Sequence, residues 1–220
     1  MANDKIKHLT LDKPEEMEYF VDISKDKQRH RFVDRIEKII RSSMEYRDYI
    51  SFLKENVGLD SCVFFNKVTS GGPNKHSRIS IEMHHEPFTL YDIVDVVVTK
   101  YQEEGKPLND LDIADEVMEL HYNNMVGLVP LSKTMHQVIH NSTKLIVPLN
   151  MVYGNYSEFL KEYENYVPDY LYDKLEQKLT MTENLTPESF DAITKEFTYL
   201  DIDGVEPVSK MEVLSAAEIA

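Results

Sequence analysis

Two hydrophobic periods share the middle of this chain. From Arg78 to His84 apolar and polar residues alternate, with Ile79, Ile81 and Met83 on one side and Ser80, Glu82 and His84 on the other. That is the signature of a half-buried strand. After Pro87 the apolar residues fall three and four apart, through Leu90, Ile93, Val94, Val97 and Val98 to about Glu104, and again through Ile113, Val117 and Leu120. That spacing predicts two amphipathic helices. Thr89 with Asp92 resembles a capping box, Gly105 and Pro107 stop the first helix, and Asn109 can cap the second. Val126-Gly127-Leu128-Val129-Pro130-Leu131 then reads as a second short strand, and Ser132 can cap a short helix over Lys133 to His140 with Asn141 at its C-terminus. The expected class is α+β: a small core of two strands and a helix, with a two-helix insertion, surrounded by N- and C-terminal helices.

The flanks read as mainly helical. Residues 1–24 form an arm with one strand or short helix over Met17 to Ile23. Lys27 to Leu53 places Phe32, Val33, Ile36, Ile39, Ile40 and Met44 at helical spacing, and Gly58 ends it. Ser61 to Phe65 is a short strand, and Ser70 to Asn74 is a turn cluster. Tyr156 to Tyr166 and Tyr170 to Leu179 are aromatic-rich helices whose tyrosines suit packing, and Thr186-Pro187-Glu188 is a helix start. The last fifteen or so residues read as a tail. These divisions give an N-terminal helical arm at 1–60, a central region at 61–142 with its helical insertion at 88–122, and a C-terminal helical region and tail at 143–220.

Composition narrows the function classes. A hydrophobic fraction of 42% supports a core. No run approaches the roughly 20 apolar residues of a membrane span, and the first residues lack the apolar stretch of a secretory signal. One cysteine, Cys62, excludes an internal disulfide framework and a cysteine zinc knuckle. A reducing, cytoplasmic compartment is expected. Residues 1–80 hold 15 basic against 13 acidic side chains, a net of +2, and residues 81–220 hold 9 against 26, a net of −17, which together make the −15 of the whole chain. Such a field repels nucleic acid at long range and attracts basic partners. Any phosphate-tracking surface would have to come from the early helix, through Arg29, Arg31 and Arg35, although these read more readily as a solvated helix face. Asp110, Asp112, Asp115, Glu116 and Glu119 read as a solvated face rather than a metal site.

Four of the 8 histidines make a pattern. His84 and His85 end the first strand; His136 and His140 lie four apart on the short helix, on one face. A strand, a strand and a helix could bring three or four imidazoles to one point. Imidazole is a base near neutral pH and a ligand for borderline transition metals. Adjacent strand residues point to opposite faces, so His84 and His85 share a site only if the strand ends or twists there.

Ile81-Glu82-Met83-His84-His85-Glu86-Pro87, followed by Gly127-Leu128-Val129-Pro130-Leu131-Ser132-Lys133-Thr134-Met135-His136-Gln137-Val138-Ile139-His140, resembles the HNH nuclease motif, the ββα-metal or His-Me finger family common in phages and mobile elements. The resemblance implies that His84 and His136 bind a divalent metal, Mg²⁺, Mn²⁺, Zn²⁺ or Ni²⁺. It makes His140 a further ligand or phosphate contact, and His85 the base that activates water for phosphodiester hydrolysis. Lys133 and the basic early helix would then touch DNA. The motif departs from the family at Gly127, which stands where a central Asn is usual, and at Ser132 and Met135, where cysteines often occur. The long helical insertion between the strands is a third departure. An alternative with the same resemblance is a protein whose nuclease function has lapsed, acting through its acidic later part as a protein-binding regulator or structural phage factor.

Overall fold

The computed structural model describes residues 23–69, 80–141 and 145–184. The expected arm segment over Met17 to Ile23 (save its last residue), the turn cluster over Ser70 to Asn74, the helix start at Thr186 and the tail lie outside the described residues. Helices α1 (Asp26–Ser42) and α2 (Met44–Phe52) are followed by a π turn (Leu53–Val57) and by strands β1 (Ser61–Cys62) and β2 (Phe65–Thr69). Strand β3 (Ile81–His85) leads into α3 (Leu90–Glu103) and α4 (Asp110–Tyr122). Strand β4 (Leu128–Ser132) runs directly into α5 (Lys133–Asn141), and α6 (Tyr156–Glu162) and α7 (Asp169–Glu183) follow. The architecture is α+β, as the two periods predict.

Local chemistry sets several boundaries. The long early helical stretch is two helices, because Ser43 leaves helical geometry and its side chain accepts a hydrogen bond from Tyr46 N at 3.0 Å. Gly58 ends the π turn in the left-handed region, at φ +89°. The capping box at Thr89 and Asp92 and the cap at Asn109 both form. The expected strand at Ser61 to Phe65 instead turns back at Val63 and Phe64, so that β1 pairs antiparallel with β2.

β3 and β4 pair antiparallel, with Ile81 opposite Ser132 and His85 opposite Leu128. The ladder continues one step further: Glu86 N donates to Gly127 O at 3.0 Å. α3 and α4 form the connection that lets two strands so far apart in sequence lie side by side.

The main core draws on most of the helices. Phe32, Val33, Ile36 and Ile40 of α1 meet Val94, Val97 and Val98 of α3, Ile113 and Val117 of α4, Phe159 of α6 and Leu171 of α7. A second, smaller core gathers Cys62, Phe64, Phe65, Ile81, Val129, Leu131 and Met135 around the strands and α5. Ion pairs stitch the helical layer. Arg29 pairs with Asp95 at 2.7 Å and Arg35 with Asp110 at 2.5 Å. Lys100 pairs with Glu116 at 2.8 Å, and the Tyr163 hydroxyl donates to the same carboxylate at 2.6 Å.

α7 is fastened to the start of α3 and to the end of β3 by two lysines. Lys174 donates to Asp92 at 2.7 Å and Lys178 donates to Glu86. Glu86 is buried. Burial works to raise its carboxyl pKa, but hydrogen bonds from His84 and Lys178 outweigh it, so the group sits below the usual carboxylate range and stays charged. A Lys178→Ala chain is therefore expected to lose about 2 kcal/mol of stability, since it leaves a buried carboxylate with one fewer donor. The urea midpoint of that variant, compared with Lys178→Arg, checks this. An unchanged midpoint would show that the pair contributes nothing.

Candidate functional site

Strand alternation separates the two adjacent histidines. Glu82 and His84, two residues apart, project from the same side of β3, and α5 lies over that side. His85 projects from the other side, toward α2 and α4. The residues before and after Glu86-Pro87 do not twist the strand enough to bring both rings together.

On the α5 side, three rings converge. The His84 ring centroid lies 5.1 Å from that of His136 and 5.1 Å from that of His140, and the His136 and His140 centroids are 4.6 Å apart. One ring nitrogen from each residue lies within 4.8 Å of the others. Nε2 of His136 and Nε2 of His140 face each other at 3.1 Å. The one-turn spacing on α5 gives this proximity, and the register of β3 against β4 delivers His84 to the same place. His84 is buried, His136 half-buried and His140 exposed, so the cluster opens outward along α5.

Carboxylates orient two of the three rings. Nδ1–H of His136 donates to Glu82 at 2.7 Å, which leaves the lone pair of its Nε2 directed at His140. Nε2 of His84 lies 3.3 Å from Glu86, the carboxylate that also receives Lys178. Burial, and then the neighbouring His136, lower the pKa of His140 below the ordinary imidazole value, favouring the neutral, metal-binding form. Glu82 and Glu86 are part of the site and escaped the sequence reading. The signal for Glu82 was available, because a residue two before His84 on a strand shares its face.

On the opposite side, His85 is enclosed. Its Nε2 lies 3.1 Å from Nε2 of His121, whose Nδ1–H donates to Val117 O at 2.7 Å. That second bond leaves the His121 Nε2 as an acceptor, so His85 donates. The Tyr46 ring stacks on His85, and Tyr46 and Tyr49 meet His121 edge-on. Burial holds both imidazoles well below their ordinary value, His121 at about 4. His121 is a buried partner of His85. It extends the Ile113, Val117, Leu120 stripe, and that position was the clue.

The assignment of His85 as a water-activating base is corrected by this geometry. A buried imidazole that donates to another buried imidazole, on the far side of the strand from His84, has no access to a water at the three-ring cluster. Gly127 is corrected too. It is not an orienting Asn lost from a loop: a Cβ there would lie 1.8 Å from Glu86 O and 2.9 Å from Val152 Cγ1. The position admits no side chain.

The residues expected to contact DNA have other surroundings. The Arg29 guanidinium bonds Asp95 and Thr99, and that of Arg35, although exposed, bonds both oxygens of Asp110, so each is engaged in an ion pair. Arg31 and Lys133 are exposed. Among the described residues no helix is long and apolar enough to cross a membrane.

Fold and site together define an α+β protein with a small antiparallel sheet, a three-histidine cluster on one face of it and a sealed histidine pair on the other. Residues 1–209 match the family described as Bacteriophage G278-like virion protein, and the chain belongs to that family. No curated protein and no solved structure matches it. Membership over nearly the whole length overturns the HNH endonuclease reading, in which some twenty motif residues stood for the entire chain. What the motif shares with those nucleases is histidine order, and histidine order alone does not fix which way the rings point.

Proposed function

We propose that the chain is a structural factor of the phage particle, acting through contacts with other proteins rather than by hydrolysing nucleic acid. The family match across residues 1–209 carries this reading. The interior of the molecule supports it. His85, the residue expected to act as the base, is buried against His121 on the other side of the strand. Arg29 and Arg35 are committed to ion pairs. The excess of 26 acidic over 9 basic residues in 81–220 suits a basic protein surface better than a phosphate backbone.

The test is fractionation of density-gradient-purified particles. The chain is expected to sediment with them at a fixed copy number and to withstand nuclease treatment. Recovery of the chain only from the soluble host fraction would overturn the proposal. The acidic surface makes a second expectation: its association with a particle partner weakens several-fold between about 50 and 200 mM salt, as exposed charge pairs are screened. Salt-independent association would show that apolar contacts carry the binding instead.

A further inference from the structure

We infer that His84, His136 and His140 form a binding site for one divalent transition-metal ion of the zinc class, bracing β3 against α5. The inference goes beyond a role in the particle and does not depend on it.

Three observations carry it. First, the geometry is that of a ligand set. In a tetrahedral site with metal–nitrogen bonds of about 2.0–2.1 Å, neighbouring nitrogens sit roughly 3.3–3.4 Å apart. Nε2 of His136 and Nε2 of His140 are 3.1 Å apart, and the full set lies within 4.8 Å. Modest ring rotation brings the whole set into range.

Second, the outer contacts are those that metal-binding histidines use. A carboxylate on the remote nitrogen fixes the ring and raises its basicity. Glu82 does this for His136, and Glu86 lies 3.3 Å from Nε2 of His84. In the alternative of a purely packed cluster, two imidazole Nε2 atoms would meet head-on at a half-exposed surface where water could serve either. The same surface would also need a carboxylate aimed at the far side of the His136 ring and a second one beside His84. Packing gives no reason for that combination.

Third, the elements that hold the ligands are rigid. His84 lies in a paired strand, and His136 and His140 lie on a helix seated on that sheet through Met135. The ion would join chain positions 52 residues apart, between His84 and His136. Nitrogen donors favour Zn²⁺, Co²⁺, Ni²⁺ or Cu²⁺ over Mg²⁺, which prefers oxygen. Because the cluster opens outward at His140, the fourth position belongs to a water.

The experiment is titration of the purified full-length chain, stripped with a chelator, with ZnCl₂ and separately with MgCl₂. Binding is followed by calorimetry and thermal unfolding. One Zn²⁺ per chain is expected, with a rise in melting temperature of about 5–10 °C at a hundredfold excess over Kd, and no effect of Mg²⁺ at the same concentration. His140→Gln changes an exposed side chain. It is expected to keep the melting temperature of the metal-free protein and to lose the Zn²⁺-dependent rise. Glu82→Gln is expected to weaken binding by about 10–100-fold without abolishing it. Absence of stoichiometric Zn²⁺ binding by the unaltered chain would overturn the site. So would a Zn²⁺ response that His140→Gln leaves intact, since the ion would then sit elsewhere. Either failure leaves the particle role untouched, because sedimentation of the chain with particles is measured separately.

Discussion

A Gly127→Ala chain is expected to be destabilised by about 4 kcal/mol, at the upper end of what single substitutions do. The added methyl would stand 1.8 Å from the Glu86 carbonyl oxygen, where no real Cβ fits, and 2.9 Å from Val152. Both neighbours are held. Glu86 is tied by its N–H to Gly127 O, and its side chain lies between His84 and Lys178. Relief therefore requires the ladder to open at the end of β3, which also displaces the docking point of α7. Overpacking alone typically costs about 1–3 kcal/mol, and loss of the Glu86–Gly127 bond adds about 1 more. Urea unfolding of the variant measures this. A midpoint within error of the unaltered chain would mean that β3 and β4 diverge before Glu86.

Stability is expected to fall by about 3 kcal/mol as pH drops from about 6.5 to about 4, beyond any loss from carboxylates, because of His121. Its pKa is 6.5 in an exposed chain and about 4 in the fold, with burial as the main cause. The folded state therefore binds fewer protons than the unfolded state in that window. The stabilisation is complete above pH 6.5 and is lost progressively as acid protonates the unfolded chain. Each pKa unit corresponds to about 1.4 kcal/mol. His85, lowered in the same direction, steepens the slope. Chemical denaturation at intervals between pH 7.5 and 4 gives the profile, and His121→Leu is expected to flatten it while lowering the plateau. A flat profile for the unaltered chain above pH 5 would show the two rings to be solvated rather than buried.

Much of the fold was legible because it is written locally. Thr89 with Asp92, and Asn109, announce helix starts within three residues, and the alternation at Ile81, Glu82, Met83 and His84 announces a strand and its two faces. The convergence of His84 with His136 and His140 followed from the order strand, strand, helix. What could not be read depends on neighbours distant in sequence. Arg29 and Arg35 look like free cations until Asp95 and Asp110, 66 and 75 residues away, are seen against them. Gly127 looks like a missing Asn until the Glu86 carbonyl is placed over it. His85 depends on a distant neighbour too, since its partner His121 is 36 residues away. The rule that neighbours on a strand point apart already stood against a shared site with His84.

β3 sends its consecutive histidines in opposite directions, one to an open cluster and one into the core. Long-range ¹H–¹⁵N correlation spectra of the imidazoles, recorded with and without one equivalent of Zn²⁺ at pH 7, test it directly. His84, His136 and His140 are expected to shift with the ion, while His85 keeps its proton on Nε2 and His121 keeps its proton on Nδ1, both unmoved. A His85 ring that shifts on Zn²⁺ addition or exchanges freely with water would contradict the arrangement.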